Sequence, residues 1–305
     1  MRPFQLIVNP RSGYGRQQQL LPDLRTALHQ AGMPVVEYVT RGPGDATRYA
    51  REIPGDTPAV VVVGGDGTVN EVASALLGTD VPLLPCPMGT ENLLAKELGI
   101  SAHPRALVET LRRGRVVQCD VGRVNRRNFL LIIGVGFDGE VVRRLAAVRR
   151  GHISHLSYFW PIWRTFWEHS FPRLTIVADG ETIFDEPGLA FIGNISRYAV
   201  GLRICRDARY DDGLFDLVVF RCTARPRLVW HAAWTLLRMH PLKGDVIYRQ
   251  FRTLRVESQD AVPSQVDGDP GPDTPLEIEV LPRRINLLVP AARKPAFWPW
   301  KGLPV

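Results

Sequence analysis

The residues of this chain whose types and spacing best suit chemistry lie in one stretch, VVVVGGDGTVNE over residues 60–71. Its four valines predict a buried parallel strand, and the glycines that follow let backbone amides approach a ligand closely. Thr68 and Asn70 then open a helix. A turn from a strand into a helix N-terminus binds anions, because free N–H groups and the helix dipole both point at it. Phosphate is the natural ligand, although the same turn also occurs with no ligand.

Asp66 places a carboxylate among these amides. It would repel a bare phosphate, but it suits a phosphate that carries a magnesium ion. The turn therefore predicts a site for a magnesium-bound phosphate group.

The elements that would position this turn alternate between strands and helices. Strands are expected at Phe4 to Val8, Val35 to Val39, Val60 to Val63 and Leu83-Leu84, and helices at about Gln17 to Gln30, Asp45 to Arg51, Thr68 to Leu77 and up to Leu98. This alternation predicts a parallel sheet covered by helices on both faces, with ligands at the carboxyl ends of its strands. Polar loops around Asn9, Asp66 and Thr90 would then converge on one edge.

From about Arg115 the pattern is that of a mainly antiparallel β domain. Strand-like runs lie at Val116 to Val121, Phe129 to Ile133, Leu174 to Ala178, Leu189 to Ile195, Leu214 to Phe220 and Leu276 to Leu281, and helices at about Asp138 to Arg149, Ser154 to Trp167 and Pro226 to Met239. We therefore predict an α/β domain over residues 1–120 and a β domain over residues 121–289. Residues 290–305 are expected to form a tail or a strand that returns to the first domain.

Length and composition describe an ordinary soluble globular chain. It has 305 residues, of which 45% are hydrophobic and 23% charged, enough for about two domains. No apolar run approaches the roughly 20 residues of a membrane span, and the first residues, MRPFQLIVNP, suggest the entry of a strand rather than a signal peptide. We therefore expect a cytoplasmic protein.

Charge and cysteine content limit the partners. The net charge of +7 favours nucleotides, nucleic acid or acidic membrane surfaces, without choosing among them. The cysteines at 86, 119, 205 and 222 have no paired spacing, so we expect buried small apolar side chains rather than disulfides or a zinc site.

Six blocks taken in order resemble one known family. They are NPRSG over residues 9–13, GGDGTVNE over 64–71, PMGTEN over 87–92, GVGFD over 134–138, DDGL over 211–214 and VDGD over 266–269. Together they resemble the diacylglycerol kinase catalytic family, which includes bacterial lipid kinases and the sphingosine and ceramide kinases. NAD kinases share the GGDG turn alone, so the resemblance depends on the order of all six blocks across residues 9–269.

The resemblance implies a fold and an activity. Members of the family bind ATP between an α/β domain and a β-sandwich domain, and use magnesium to transfer the γ-phosphoryl group to a lipid hydroxyl. The implied nucleotide contacts are Asn9, Ser12, Gly13, Thr40, Gly64, Gly65, Asp66, Gly67, Thr68, Asn70 and Thr90. Asp66 would also hold or orient the metal-bound phosphates.

Two further roles follow from matching positions. Asp269 corresponds to the catalytic base, which is needed because an alcohol is a poor nucleophile until its proton is accepted. Asp212, with main-chain oxygens of Arg209 and Leu214, corresponds to a structural magnesium site, and Asp211 could share its charge. The alternative for this segment is a type I turn without metal.

The chain departs from the family pattern at two positions. Asp269 stands where the family usually has Glu, which shortens the carboxylate by roughly 1.5 Å of reach toward the hydroxyl. Leu93 stands where many bacterial members have Asp, and the resembling sphingosine kinases also lack that Asp. The second departure favours a substrate other than diacylglycerol.

Tryptophans at helical spacing form a separate feature. Trp160, Trp163 and Trp167 share one helical face, and Trp230 and Trp234 form a second pair. We expect both stripes to lie in the core or to line a lipid pocket. The alternative is a stripe that faces a membrane.

The sequence thus predicts an ATP- and Mg2+-dependent lipid kinase that is cytoplasmic and associates peripherally with the membrane during turnover. Its substrate would be a diacylglycerol-like or sphingoid lipid, and no nucleic acid partner is expected. Family members are often homodimers, although no stripe in this chain demands a dimer. The alternatives are an NAD kinase-like enzyme and a catalytically inactive lipid-binding protein on the same scaffold.

Overall fold

The computed structural model describes residues 2–13, 16–148, 159–242 and 244–291. Its first part alternates strands with helices as predicted. The elements are β1 (Phe4–Val8), α1 (Arg16–Gln30), β2 (Val35–Val39), α2 (Asp45–Arg51), β3 (Val60–Gly64), α3 (Asp66–Ala75), β4 (Leu83–Pro87), α4 (Leu93–Leu98) and α5 (Pro104–Arg113).

The first four strands form a parallel sheet in the order β2-β1-β3-β4. Residues 60–63 are almost fully buried, as expected of a β-branched strand covered on both faces. Val8 is paired with both Val39 and Val63, and Val63 with Cys86. Because the strands end at the same level, the loops that follow them meet at one edge of the sheet.

The second part is mainly antiparallel, which confirms the predicted fold class. Its elements are β5 (Arg115–Val124), β6 (Arg127–Phe129), β7 (Ile132–Val135), α6 (Phe137–Val148), α7 (Phe159–Glu168), β8 (Arg173–Ala178), β9 (Glu181–Gly193), β10 (Phe215–Arg221), α8 (Arg225–Leu236), β11 (Val246–Phe251), β12 (Thr253–Glu257), β13 (Ser264–Val266), β14 (Asp269–Pro270) and β15 (Leu276–Val289). The predicted helix ends at residues 149 and 154 lie outside the described residues.

Strand β9 connects two layers of this β domain. Its first half pairs with β8, and its second half pairs with β7 and β10. Between the layers lies a separate apolar core that includes Ile133, Phe215 and Phe251. Sheet-on-sheet packing of this kind makes the second part a β-sandwich.

Strand β15 joins the two parts. It pairs antiparallel with β12 and β5, and Leu287 then lies parallel to Leu83 of β4. The pairing with β5 shifts register between Leu281 and Ile285. The chain therefore returns to the first part within β15, although the sequence pattern ended this strand at Leu281. The predicted tail beyond residue 291 lies outside the described residues, and the division at residue 120 stays a prediction.

The predicted strand from Phe129 to Ile133 is in fact two strands, β6 and β7. The N–H groups of Leu130, Leu131 and Ile132 donate to the carboxylate of Asp267, at 2.8, 2.9 and 3.0 Å. These amides are therefore turned toward one side chain instead of pairing continuously with a neighbouring strand.

Of the two positions predicted for the tryptophan stripes, the core is wrong, and the lining of a lipid pocket stays a prediction. Trp160, Trp163, Trp167 and Trp230 are exposed, and Trp234 is half-buried. The described helices α7 and α8 instead bury small or polar residues. The four cysteines are buried and unpaired, as predicted. Among the described residues, no helix has both the length and the apolar character needed to cross a membrane.

Candidate active site

Three loops meet at the carboxyl edge of the parallel sheet, and Asn9 ties the first to the second. Asn9 lies after β1, where its side chain donates to the hydroxyl of Thr68 on α3 at 2.8 Å and accepts from the N–H of Arg11 at 3.0 Å. The N–H of Ser12 donates to the carbonyl of Asn9 at 3.1 Å. The predicted nucleotide residues of the first two loops are therefore brought together.

Glycines allow these loops to touch. The β3–α3 turn lies so close to the β4–α4 loop that a Cβ at Gly89 would lie 2.6 Å from the Cα of Gly65. Gly13 has φ +76°, and a Cβ there would lie 2.2 Å from the carbonyl oxygen of Met88. Any other residue at Gly13 or Gly89 would force the loops apart, because real Cβ atoms do not approach so closely.

Helix α3 begins directly after Gly65, with no side chain capping its N-terminus. The first N–H groups of a helix have no partner within the helix, so this turn offers donors to an anion. Gly67 is exposed, and a Cβ there would meet no atom within 4 Å. The loop edge can therefore accept a phosphate group.

The other predicted nucleotide residues lie around this edge. Thr40 follows β2, is buried, and donates its N–H to Val8 at 2.9 Å. Asn70 lies on α3, where it accepts from Ser74 at 3.4 Å. Thr90 lies exposed in the β4–α4 loop. The conformation of that loop is set by Asn92, which accepts from the N–H of Gly89 at 2.6 Å and donates to its carbonyl at 2.8 Å.

The carboxylate of Asp66 has a structural role that the sequence did not indicate. It accepts from the N–H groups of Leu93 and Leu94 at 2.9 and 3.2 Å, at the start of α4. Burial raises the pKa of Asp66, and these two donors oppose the rise. Asp66 thus fixes the third loop to the second. Leu93 contributes its backbone N–H, which an Asp at this position would also supply.

Asp267, on the turn after β13, is a carboxylate of the β-sandwich side whose pKa is affected by the charge of Asp66. Burial raises its pKa to about 6, and the negative charge of Asp66 raises it further. The three backbone N–H donors described above lower it. The two carboxylates therefore lie within electrostatic reach across the junction of the two parts. Asp267 lies in the VDGD block, and its Asp-Gly turn is the only feature of the sequence that points to it.

Asp269, the predicted base, lies two residues further along. Its side chain is 51% exposed and is 3.4 Å from the guanidinium of Arg127. Arg127 also donates to the carbonyls of Val266 and Pro270, at 3.3 and 2.9 Å. Arg127 thus holds the segment that carries Asp269, another contact that the sequence did not indicate.

Asp138, in the fourth block, is held against β7. The hydroxyl of Tyr198 donates to its carboxylate, and a Cβ at Gly134 would lie only 2.0 Å from its Oδ2 atom. Burial raises the pKa of Asp138 to about 6, although the hydrogen bond from Tyr198 and the nearby amide of Gln265 lower it. The glycine is required because this carboxylate occupies the space of a side chain.

The predicted structural metal segment forms a turn closed by Asp212. Its Oδ1 atom accepts from the N–H of Leu214 at 3.1 Å, and the guanidinium of Arg209 lies 3.3 Å from Asp211. Asp120, which the sequence analysis missed, is fully buried beside them. It accepts from the N–H groups of Gly213 and Arg283, both at 2.7 Å.

The pKa of Asp120 is raised by burial and, further, by the charges of Asp212 and Asp211; the two N–H donors lower it. Three carboxylates therefore lie near one another. In the described part of the chain, no group of three or more His, Cys, Asp or Glu residues has an arrangement that could hold a metal by itself. A cation at Asp212 would thus need main-chain oxygens as well, as the resemblance implies.

Comparison with known proteins gives the same assignment over nearly the whole chain. Residues 3–124 match the model of the diacylglycerol kinase catalytic domain, and residues 131–289 match that of the YegS C-terminal NAD kinase beta sandwich-like domain. A diacylglycerol kinase of Mycobacterium tuberculosis is 30% identical over 292 residues, covering 93% of this chain and 94% of that protein. One from Staphylococcus carnosus is 26% identical over 290 residues, covering 93% and 94%.

Solved structures support the fold. The structure of a diacylglycerol kinase from Bacillus anthracis is 22% identical and covers 94% of this chain and 96% of that chain, with a TM-score of 0.70. Another from the same organism, at 23% identity and coverage of 94% and 95%, gives a TM-score of 0.79.

A phosphate-accepting edge on a parallel sheet, joined to a β-sandwich, together with these relatives defines the chain as a lipid kinase. More particularly, it belongs to the diacylglycerol kinase family.

Proposed function

We propose that this lipid kinase transfers the γ-phosphoryl group of ATP, bound with Mg2+, to the hydroxyl group of a diacylglycerol-like lipid. The observation that carries the proposal is the meeting of three loops at the carboxyl edge of the parallel sheet. Asn9 donates to Thr68 at 2.8 Å, and Asp66 accepts from the N–H groups of Leu93 and Leu94 at the start of α4. The negative charge of Asp66 also raises the pKa of Asp267 on the β-sandwich side, and hard carboxylate oxygens suit a site for a cation and phosphate groups.

ATP would bind at the loop edge of the sheet. The N–H groups at the start of α3 would receive phosphate oxygens, and Gly67, where a Cβ would meet no atom within 4 Å, leaves room for close approach. Asn9 and Thr68, which are joined by a hydrogen bond of 2.8 Å, would position the first loop against the nucleotide. Ser12, Gly13, Thr40, Asn70 and Thr90 would complete the contacts.

The carboxylates present fit Mg2+. Asp66 and Asp267 supply hard oxygen atoms, and each carboxylate keeps lone pairs beyond those that accept the backbone N–H groups. These residues would hold the ion, which neutralises phosphate charge during transfer. The helix start and the bound loops would position the phosphates.

Asp269 would accept the proton of the lipid hydroxyl. It is exposed toward solvent, and Arg127 keeps its segment in place. An exposed carboxylate two residues after Asp267 can reach a hydroxyl group presented at the domain junction. We propose a second magnesium ion at Asp212, with main-chain oxygens of Arg209 and Leu214, as a structural support.

The substrate class follows from the relatives. The matching proteins of Mycobacterium tuberculosis and Staphylococcus carnosus are diacylglycerol kinases. With Leu93 in place of Asp, a sphingoid lipid is the alternative substrate. The protein would work in the cytoplasm and meet its substrate at the membrane surface.

The test is transfer of radiolabelled phosphate from ATP and Mg2+ to lipids in mixed micelles. The panel contains diacylglycerol, monoacylglycerol, phosphatidylglycerol, sphingosine and ceramide, with NAD in a separate reaction. We expect labelled phosphatidic acid. Labelled NADP instead would support the NAD kinase-like alternative, and ATP binding without any product would contradict the proposed substrates.

A further inference from the structure

Helix α7 exposes most of its large apolar side chains to solvent. Its buried residues are Pro161 and Thr165, whereas Trp160, Trp163 and Trp167 are 49–61% exposed. A helix on the surface of a globular protein normally turns its large apolar residues inward and its polar residues outward. On α7 the large aromatic residues are exposed together with the charged side chains of Arg164 and Glu168.

Helix α8 has a similar arrangement. It buries His231 and Thr235, and exposes Val229, Trp230 and Leu236. The buried imidazole is satisfied, since its Nε2 atom lies 2.9 Å from the carbonyl oxygen of Arg221. The polar side of α8 is thus built into the protein, and its apolar side is presented outward.

The two exposed sides are continuous. Trp167 of α7 and Val229 of α8 line one cleft of about 800 Å3, and Arg225 donates to the carbonyl of Phe166 at 3.0 Å. Eleven of the fourteen strongly exposed large apolar residues of the described chain lie on α7, on α8 or just after α8. We name these eleven the aromatic face: Phe159, Trp160, Ile162, Trp163, Trp167, Val229, Trp230, Leu236, Leu237, Met239 and Leu242.

Arginines outnumber carboxylates around the aromatic face, where Arg164 pairs with Glu168 on α7 and Arg227 of α8 pairs with Asp245. From Thr223 to Leu242 the sequence contains three arginines and no Asp or Glu. One of them, Arg225, lies 5.7 Å from the centre of the Trp167 ring. Tryptophan and arginine side by side suit the interface of an anionic bilayer, where indole rings lie among headgroups and arginines meet lipid phosphates.

We propose that the aromatic face docks this protein on an anionic lipid bilayer. The inference rests on the proposed function, since a kinase of lipids must reach them in a membrane. The cleft behind the face leads inward to His169, whose ring packs on Phe137 of the fourth block with ring centres 5.6 Å apart. Docking by this face would therefore bring the bilayer next to the β-sandwich side of the active site.

The test is binding to vesicles of phosphatidylcholine with and without phosphatidylglycerol, measured by co-sedimentation without ATP. We expect binding that increases with phosphatidylglycerol, and quenching of tryptophan fluorescence by brominated lipids. The variant Trp163→Ser/Trp230→Ser should bind at least about tenfold more weakly, since two exposed indoles lose their burial in the bilayer. The control Val39→Ser/Val116→Ser, which removes exposed apolar side chains elsewhere, should bind normally.

The outcomes separate this proposal from the kinase assignment. Equal binding of both double variants, or no quenching in the unaltered protein, would overturn the docking surface even if the protein phosphorylates a monomeric short-chain lipid. Vesicle binding through the face, with no phosphorylation of any lipid, would support docking and refute the proposed function. A dimer in solution that becomes a monomer in Trp163→Ser/Trp230→Ser would assign the face to a second copy of the chain and overturn the proposal.

Discussion

The negative charge of Asp66, which follows β3, raises the pKa of Asp267, which follows β13. The first residue belongs to the parallel sheet and the second to the β-sandwich, so these two negative charges repel each other across the junction of the two parts. A bound cation would remove this repulsion. In the proposed function, both carboxylates would hold the magnesium ion.

The first prediction concerns Asp66. We expect Asp66→Asn to reduce turnover at least about 100-fold, because an amide cannot neutralise a cation. The substitution should also destabilise the start of α4 by about 1 kcal/mol, since asparagine has only one side-chain oxygen to accept from the N–H groups of Leu93 and Leu94. Phosphorylation assays and urea unfolding measure the two effects. Asp80→Asn, a change of an acidic residue on the loop before β4, is the control, and near-normal turnover in Asp66→Asn would contradict the role.

The second prediction concerns the base. Asp269→Asn should abolish turnover and leave ATP binding unchanged, because the hydroxyl proton then has no acceptor. Asp269→Glu should keep turnover within about tenfold of the unaltered enzyme, since it restores a carboxylate. Steady-state rates and ATP titrations measure these effects, with Asp273→Asn as the nearby control. Should Asp269→Asn keep near-normal activity, the assignment of the base would be wrong.

The third prediction concerns the contact between the glycine loops. Gly89→Ala would place a Cβ 2.6 Å from the Cα of Gly65, so we expect a loss of about 1–3 kcal/mol in the free energy of unfolding and weaker ATP binding. Gly55→Ala is the control, because its Cβ would meet no atom within 4 Å. Thermal unfolding and nucleotide titration distinguish them. If both variants behaved alike, the loops would not be in contact.

The fourth prediction concerns pH. The pKa of Asp138 is raised to about 6 from 3.8, so its contribution to stability is present below about pH 4 and is lost as the pH rises through 6. Asp138→Asn cannot ionise. The variant should therefore gain up to about 2 kcal/mol relative to the unaltered protein between pH 4 and pH 7.5. Urea unfolding across this range measures the difference, and a difference independent of pH would show that Asp138 is not buried as described.

The fifth prediction concerns the proposed structural magnesium ion. Without nucleotide, Mg2+ should raise the Tm of the unaltered protein, because a ligand that binds only the folded state stabilises it. Asp212→Asn should lose this rise, and Asp207→Asn, which removes an exposed carboxylate paired with Arg206, should keep it. A rise of the same size in Asp212→Asn would place the ion elsewhere.

Local patterns predicted much of the fold. The buried run at Val60 and the strand at Phe4 were clear because strands covered on both faces are continuously apolar. The first half of β9 was missed because its residues are polar: Asp185 and Thr175 of β8 are joined by a hydrogen bond of 2.9 Å on a solvent-facing side. The end of β15 was missed because Pro282, Arg283 and Arg284 interrupt its apolar pattern.

The candidate site was predictable only where it is local in sequence. The glycine turns and Asp66 are contiguous motifs, whereas Asp120 is joined to Gly213 and Arg283 by bonds across 93 and 163 residues. The tryptophan stripes show the limit of periodicity: it identified helical faces at Trp160 and Trp230, but it cannot say which face turns inward. That depends on small residues such as Thr165, which pack where a larger side chain would not fit.

The shift in register of β15 has a mechanical consequence. Both strands that run between the two parts, β5 and β15, pair regularly on either side of residues 282–284 and not across them. Residues 282–284 are therefore where the pairing of β5 with β15 would least resist a change in the angle between the two parts. The N–H of Arg283 donates to Asp120, which lies beside Asp212. A cation bound at Asp212 would therefore affect the stiffness of residues 282–284.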